Sequence, residues 1–178
     1  MEFKNVLQNR ISTRSYNGKP VSPEQIDEIL QLMRLAPTAR HLESYKIKIS
    51  VGDNEFIEKI GNMNGQIDRI RGCGAVMVFF GAPQEVASKY GDKDKGIFCV
   101  QDATLACAYA QLTATDLGLS TLWMGAFDDE KLKEICDVSG TNLIPNSILV
   151  LGYGDEKSDR PQRKKTEEIL LGYFCFKV

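Results

Sequence analysis

Two arginines and two hydroxyl side chains lie within five residues of one another in the segment Arg10-Ile11-Ser12-Thr13-Arg14. Phosphate groups prefer charge-assisted hydrogen bonds from guanidinium groups, and neighbouring hydroxyls add further donors. These residue types therefore predict a phosphate-binding segment. A solvated basic turn has the same composition, since short arginine-containing stretches are common on protein surfaces. A second element must decide between these two interpretations.

Side chains for nucleophilic or metal chemistry are scarce in the sequence. It has a single histidine, His41, and none of its five cysteines forms a Cys-x-x-Cys pair. Ser-His-Asp triads and zinc or iron–sulfur centres therefore lack the residues from which they are built. Gly152-Tyr153-Gly154 also lacks the remaining residues of the Gly-x-Gly-x-x-Gly pattern and of the P-loop, the two glycine-rich patterns that bind nucleotides. Hydrolase and metalloenzyme functions are therefore disfavoured and we expect no metal, and we interpret most of the cysteines as small buried hydrophobic residues.

The composition is typical of a globular protein. The 178 residues are 43% hydrophobic and 26% charged, which predicts one domain over residues 1–178. A formal net charge of -2 gives no basic field, so we expect no nucleic-acid partner. No apolar run approaches the ~18 residues of a membrane span, and no signal-peptide core is visible. We therefore expect a cytoplasmic protein without a membrane partner.

Five helices and four strands are predicted to position the candidate residues. A helix over 3–9 runs directly into the arginine segment. The next helix has Ser22 as its N-cap, Pro23 in its first turn and Gln25 completing a capping box, and it ends before Pro37. The other helices are predicted over 54–61, 97–117 and 129–136, and the strands over 45–51, 75–80, 119–123 and 147–151.

The hydrophobic pattern also predicts which elements are buried. The helix over 97–117 is apolar nearly all round and ends at Gly118, which predicts a buried core helix. The strand over 75–80 is apolar on both faces and is predicted to be central, whereas Pro145 is placed just before the last strand. After Gly154 the sequence is polar as far as Lys165, and the apolar segments 169–171 and 173–176 that follow need burial, either in their own sheet or across a second subunit. We favour a dimer.

The loop from Leu35 to Tyr45 supplies the second element, since loops between a helix and a strand commonly carry function. Together with the arginine segment, the turn over 122–127 and the late Gly152–Gly154 and Arg163 positions, it resembles the nitroreductase family of FMN-dependent oxidoreductases over essentially the whole chain. The resemblance implies an α+β fold of three layers, in which helices flank a central mixed, mainly antiparallel sheet. It also implies a homodimer with flavin mononucleotide (FMN) at the interface, and a C-terminal tail that adds to the partner subunit's sheet.

The resemblance further assigns a role to each segment. The arginine segment would bind the FMN phosphate and ribityl chain, and Arg163 with Lys164 would add donors to the phosphate. Backbone amides at Met124 and Gly125 would face N5 of the flavin ring, and the loop of the partner subunit would border that ring. The cofactor-binding residues predicted in this way are Arg10, Ile11, Ser12, Arg14, Pro37, Thr38, Ala39, His41, Met124, Gly125, Arg163 and Lys164.

Several positions leave alternatives open. His41 stands where the family has asparagine, and histidine offers one donor and one acceptor on a ring of different reach, so it contacts the flavin differently or not at all. Met124 also fits core packing at a strand end, and Arg163 fits a solvated charged tail. A donor near the N1–C2 edge of the flavin would come from Arg14 or Arg40. The other departures from the family pattern are Thr38, Glu43, Ser44 and Tyr45.

The resemblance implies that the flavin carries the electrons, which agrees with the lack of a catalytic side chain. Hydride would pass from NAD(P)H through flavin N5 to an electron-poor acceptor such as a nitroaromatic or a quinone, with ping-pong kinetics. Two other functions stay open on the same fold. One is a non-catalytic protein that stores or senses flavin, and the other is a specialised flavoenzyme with another substrate.

Overall fold

The computed structural model describes residues 1–63, 65–91, 95–154 and 161–172. The apolar C-terminal tail is described only in part: residues 169–171 are exposed, and residues 173–176, which include Cys175, lie outside the described residues. Its addition to a partner's sheet stays a prediction. Within the described ranges, the chain folds into one four-stranded sheet with helices on both of its faces.

The sheet has the strand order β1-β2-β4-β3, and every pair of neighbouring strands is antiparallel. An isolated parallel bridge between Ser12 and Thr121 extends it beyond β3. All seven residues of β2 are buried, as predicted for a central strand. The α+β class with a central, mainly antiparallel sheet is therefore confirmed. The strands are β1 (Tyr45–Val51), β2 (Ala75–Gly81), β3 (Ser120–Met124) and β4 (Ile144–Gly152).

Helices cover the two faces of the sheet, and the alternation of side chains along β2 divides the core between them. The helices are α1 (Phe3–Asn9), α2 (Pro23–Met33), α3 (Asn54–Met63), α4 (Ile67–Ile70), α5 (Pro83–Tyr90), α6 (Lys95–Asp116), α7 (Asp129–Ile135) and α8 (Thr166–Ile169). Val76, Val78 and Phe80 pack with α3, α4 and α7, whereas Met77 and Phe79 pack with α2 and α6.

The helix that begins after Ser22 shows the predicted capping box. The Ser22 hydroxyl accepts a hydrogen bond from the Gln25 backbone N–H, and the Gln25 side chain accepts one from the Ser22 backbone N–H. The helix ends at Met33, ahead of Pro37 as expected. Helices α4 and α8 were not predicted because four residues, little more than one turn, show no periodicity, and α5 was not predicted because only Pro83 and Val86 of its eight residues are buried.

The placement of Pro145 before the last strand was wrong. Strand β4 begins at Ile144, and Pro145 lies inside it opposite Phe80. The register shifts between Phe79 and Phe80 at this point. A proline has no N–H to donate to a neighbouring strand, and an irregularity in the pairing is where a sheet tolerates it.

The long helix α6 is only half buried within the chain, which corrects the expectation of a fully buried core helix. Its small residues face the sheet, and Ala103, Ala106 and Ala110 are fully buried. On the opposite side, Ile97 and Tyr109 are 59% and 39% exposed. Helix α6 is therefore apolar on a face that the described part of the chain leaves uncovered.

No helix within the described part of the chain combines the length and the hydrophobicity needed to cross a lipid bilayer.

The close packing at the end of β4 predicts that the protein is destabilised when Gly152 is replaced by a larger residue. A Cβ atom on Gly152 would lie 2.8 Å from Tyr16 Cδ1 and 3.0 Å from the backbone N of Gly74. Gly152→Ala should therefore lower the free energy of unfolding by about 1–3 kcal/mol, because the backbone contact cannot yield without a local shift. Chemical denaturation measures this difference.

Gly96 in the first turn of α6 provides the matched control. Its added Cβ would meet its nearest neighbour, Ile144 Cδ1, at 3.9 Å. Gly96→Ala should leave stability unchanged or raise it by up to about 1 kcal/mol, since alanine is the better helix former. Equal stability of the two variants would contradict the packing described for β4.

Candidate functional site

The arginine segment follows α1 and is attached to the edge of the sheet at β3. The backbone N–H of Thr13 donates to the carbonyl of Thr121 at 2.9 Å, and Ser12 forms the parallel bridge with the same residue. Thr13 is buried, whereas Arg10 and Ser12 are half-buried and Arg14 is exposed. The backbone of the segment is thus fixed, while the side chains that could donate hydrogen bonds to a phosphate, those of Arg10, Ser12 and Arg14, are partly or fully exposed.

Tyr16 holds the same segment by a side-chain hydrogen bond and a backbone bridge. Its phenol is buried and donates a hydrogen bond to the Thr13 carbonyl at 3.3 Å, and its backbone pairs with Gly154. Burial raises the pKa of the Tyr16 phenol far above its usual value, with a smaller contribution from Cys73, while Arg14 acts in the opposite direction. Tyr16 therefore remains a neutral hydrogen-bond donor.

The end of β4 meets the arginine segment. The backbone N–H of Gly154 donates to the Ser120 hydroxyl at 3.1 Å, and a Cβ at Gly154 would clash with the Thr13 methyl group. The glycine therefore permits the close approach of the two segments. The fold therefore brings three segments together at the edge of the sheet: the arginine segment, β3 and Gly152–Gly154.

The late basic residues are described but not placed against this site. Arg163 and Lys164 are exposed in the stretch that precedes α8, and residues 155–160, which connect that stretch to Gly154, lie outside the described ranges. Their assignment to the phosphate stays a prediction.

Strand β3 leads from the arginine segment to the Met124–Gly125 turn. The Met124 side chain is 3% exposed and packs in the core, as the alternative interpretation of this residue had it. Gly125 is exposed, and a Cβ added to it would meet only Trp123 Nε1, at 3.8 Å. The backbone at the end of β3 is therefore open to approach from outside the chain.

The loop between α2 and β1 has an unusual backbone. It forms a short 3-10 turn over Ala39–His41, and Arg40, His41 and Glu43 have φ values of 50°, 59° and 49°, in the left-handed region. Pro37 and His41 are exposed, and the other predicted contacts, Thr38 and Ala39, are half-buried.

A carboxylate that sequence reasoning missed holds this loop. Asp102 of α6 is 2% exposed and accepts hydrogen bonds from the backbone N–H of Ala39 at 2.9 Å and from that of Ser44 at 3.2 Å. The Ser44 hydroxyl donates to it as well, at 2.5 Å. The signal in the sequence was a lone acidic residue on the buried side of an otherwise apolar helix.

Side chains of the loop are oriented by aromatic contacts and burial. The Arg40 guanidinium lies 5.1 Å from the centroid of the Tyr90 ring, within the range of a cation–π contact. Burial raises the pKa of the Tyr45 phenol, and the carboxylates of Glu43 and Asp102 raise it further, while Arg34 acts in the opposite direction. Tyr45, at the start of β1, is therefore an uncharged group.

The arginine segment and this loop lie far apart within one chain. The pairing register runs from Ser12 through β3, β4 and β2 to Val51, which is four strand spacings, or about 19 Å. Tyr45 lies six residues further along β1, about 20 Å at a strand's rise per residue. On an untwisted sheet this places Ser12 roughly 28 Å from Tyr45, with the two segments at opposite edges.

The described cysteines are buried. Burial raises the pKa of Cys73 and of Cys107 to about 12 and that of Cys136 to about 11, and it also raises the pKa of Cys99. Thiols in this state are poor nucleophiles. The interpretation of these four as buried hydrophobic residues is confirmed.

Comparison with known proteins identifies relatives along most of the chain. A protein of Archaeoglobus fulgidus, provisionally named an NADH dehydrogenase/NAD(P)H nitroreductase, is 27% identical over 161 residues, which cover 89% of this chain and 88% of the relative. A Bacillus subtilis protein named FMN reductase [NAD(P)H] is 26% identical over 176 residues, covering 92% of this chain and 70% of the relative.

Solved structures share the fold at lower identity. A nitroreductase family protein of Streptococcus pneumoniae superposes with a TM-score of 0.83 at 17% identity and covers 97% of this chain and 100% of its own. A nitroreductase family protein of Clostridium difficile gives 0.80 at 23% identity, covering 96% and 97%. The model of the nitroreductase family itself matches residues 7–67 and 63–153, and with that match the chain belongs to the nitroreductase family.

Proposed function

We propose that this protein is an FMN-dependent oxidoreductase that oxidises NAD(P)H and reduces an electron-poor acceptor such as a nitroaromatic or a quinone. The observation that carries the proposal is the pairing of the arginine segment with β3, which leads to the open backbone of Gly125. Phosphate-type donors and an accessible strand end thus lie along one edge of the sheet.

The donors at the first end of this edge fit a phosphate. Arg10 and Arg14 lie four positions apart on a backbone that β3 fixes, and Ser12 lies between them. The Arg14 guanidinium also donates to the Ser12 carbonyl at 3.3 Å, which orients it along the segment. Two guanidinium groups and a hydroxyl are the donor set that a phosphate monoester prefers.

The other end of the edge fits a planar ring. Gly125 lies four residues beyond Thr121, about 14 Å along the strand, which is comparable to the length of FMN from phosphate to ring. Its φ is outside the left-handed region, and among the described residues an added Cβ would meet Trp123 Nε1 at 3.8 Å, an ordinary van der Waals contact. A ligand that must approach the backbone closely explains a glycine at this position.

The chain's part in the reaction is to bind and to orient. When bound, the flavin supplies the hydride chemistry at its N5 atom. The arginine segment would hold the phosphate, and the backbone amides at Met124 and Gly125 would face the ring. NAD(P)H and the acceptor would use the same open edge in turn, which gives ping-pong kinetics. We place this chemistry in the cytoplasm, where NAD(P)H is available.

The relatives support NAD(P)H as the reductant. The names that they carry include FMN reductase [NAD(P)H] in Bacillus subtilis and NADPH-dependent oxidoreductase in Staphylococcus aureus. These two proteins are 26% and 24% identical to this chain, and their names include both NAD(P)H and NADPH.

A homodimer would complete the site. The arginine segment and the loop between α2 and β1 lie at opposite edges of the sheet, so the loop beside the ring would come from a second copy. The exposed apolar face of α6 favours the same conclusion, because a monomer rarely leaves such a surface uncovered. That face continues into a groove of about 410 Å³ lined by Met1, Phe3, Leu32, Leu35, Tyr109 and Leu112.

Removing both arginines tests the cofactor assignment. Each charged hydrogen-bonding partner contributes about 1.5–3 kcal/mol, so Arg10→Ala with Arg14→Ala should weaken FMN binding a hundredfold or more. Isothermal titration of the FMN-free protein with FMN measures the change. Arg69→Ala with Arg71→Ala is the matched control, since both of these arginines are exposed on or beside α4. Similar affinities of the two double variants would refute the assignment.

A charge on the apolar face of α6 tests the dimer. Tyr109→Glu should convert a dimer of two 19.9 kDa chains into monomers, because a carboxylate would have to be buried at the interface. Sedimentation velocity gives the masses. Val51→Glu is the control, an equally exposed apolar residue at the end of β1. If the Tyr109 variant remains a dimer, α6 is not at the interface.

A further inference from the structure

We propose that Asp102 is a positioning residue for the loop that borders the flavin ring of the partner subunit. The inference rests on the proposed function for its catalytic consequence, although the contacts that support it lie within one chain. A carboxylate on the sheet-facing side of α6 would set the backbone that the partner's flavin meets.

The three hydrogen bonds to Asp102 connect both ends of the loop to one side chain. Ala39 lies at the start of the 3-10 turn, and Ser44 is the last residue before β1. One carboxylate oxygen accepts from the Ala39 N–H, and the other accepts from the N–H and the hydroxyl of Ser44. A carboxylate is the side chain that can accept all three, because it carries only acceptors.

The residues between these two ends need such a restraint. Arg40, His41 and Glu43 are non-glycine residues in the left-handed region, a conformation that is strained for residues with a Cβ atom. It persists where surrounding contacts over-determine it. Internal bonds help, since the Glu43 N–H donates to the Thr38 hydroxyl at 3.2 Å, but Asp102 ties the loop to a different element of the fold.

The helix that carries Asp102 also carries the apolar face proposed as the dimer interface. When α6 packs against a second copy, the loop is presented to that copy in a shape that Asp102 has already set. Pre-organised geometry of this kind matters in hydride transfer, where a small misplacement of the ring-side groups slows the reaction strongly.

The first half of the test uses the FMN-free protein and does not depend on flavin chemistry. Asp102→Asn keeps the shape but places an amide N–H₂ against a backbone or hydroxyl donor. The amides of Ala39 and Ser44 should then exchange with solvent about tenfold faster or more, while the core strands keep their protection. Trypsin should also cleave faster after Arg40, which is exposed in the loop.

Two further variants keep this half interpretable. Asp27→Asn on the exposed side of α2 makes the same change of charge away from the loop and should leave loop exchange unaltered. Ser44→Ala removes only the hydroxyl bond. Adding it to the Asp102 variant should cause little further change if the two residues act as one unit.

The second half measures the bound flavin. With Arg10 and Arg14 intact, Asp102→Asn should change FMN affinity by less than about threefold. The visible circular dichroism of the bound flavin should change, and anaerobic reduction by NADH should slow by about tenfold or more, since the loop no longer holds its shape beside the ring. An overall loss of stability would not separate affinity from rate in this way.

The outcomes distinguish the inference from the proposed function. If the wild-type protein binds FMN and is reduced by NADH, and Asp102→Asn matches it in loop exchange, dichroism and rate, the positioning role is overturned and the proposed function stands. If the loop opens but flavin dichroism and rate are unchanged, Asp102 is only structural and the inference also fails. If the wild-type protein takes up no FMN, the proposed function fails and the role beside the flavin fails with it.

Discussion

The pairing between the arginine segment and β3 is the constraint on which the rest of the site depends. One backbone hydrogen bond, from Thr13 to Thr121, fixes the position of the phosphate-type donors along the strand. The same strand carries the chain to Gly125, so the register of this pairing sets the distance between the two ends of the site. The buried Tyr16 and the close contact at Gly154 hold that register from the other side.

The same register motivates the proposal of a dimer. Because the arginine segment lies beyond β3 and the loop between α2 and β1 precedes β1, the two occupy opposite edges of the sheet. An antiparallel sheet of this order cannot bring its edges together without closing into a barrel. A site that uses both segments must therefore be shared between chains, and the uncovered apolar face of α6 offers a surface for that association.

Most of the elements could be predicted from the sequence because their signals are local. The capping box at Ser22 and the alternation over Tyr45–Val51 placed a helix and a strand correctly. The other features depend on contacts between elements that are distant in sequence, which local patterns do not show. Pro145 lies in a strand because the pairing with β2 shifts its register there, and the apolar composition of α6 did not show that one of its sides is exposed within the described part of the chain.

The site divides in the same way between local and long-range information. The arginine segment is recognisable by its residue types, and its resemblance to the nitroreductase family gave it a context that the family match supports. Asp102 could not be found in this way, since a single aspartate in an apolar helix does not reveal that its partners lie 58 and 63 residues away. Only the fold brings Ala39 and Ser44 to that carboxylate.

Anaerobic titration of the FMN-loaded protein with NADH and with NADPH tests the proposed activity most directly. Visible absorbance of the bound flavin should bleach with one equivalent of at least one of the two reductants, and it should return when a quinone is added. A protein that holds FMN but is bleached by neither reductant would contradict the oxidoreductase assignment, and one that takes up no FMN would contradict the cofactor itself.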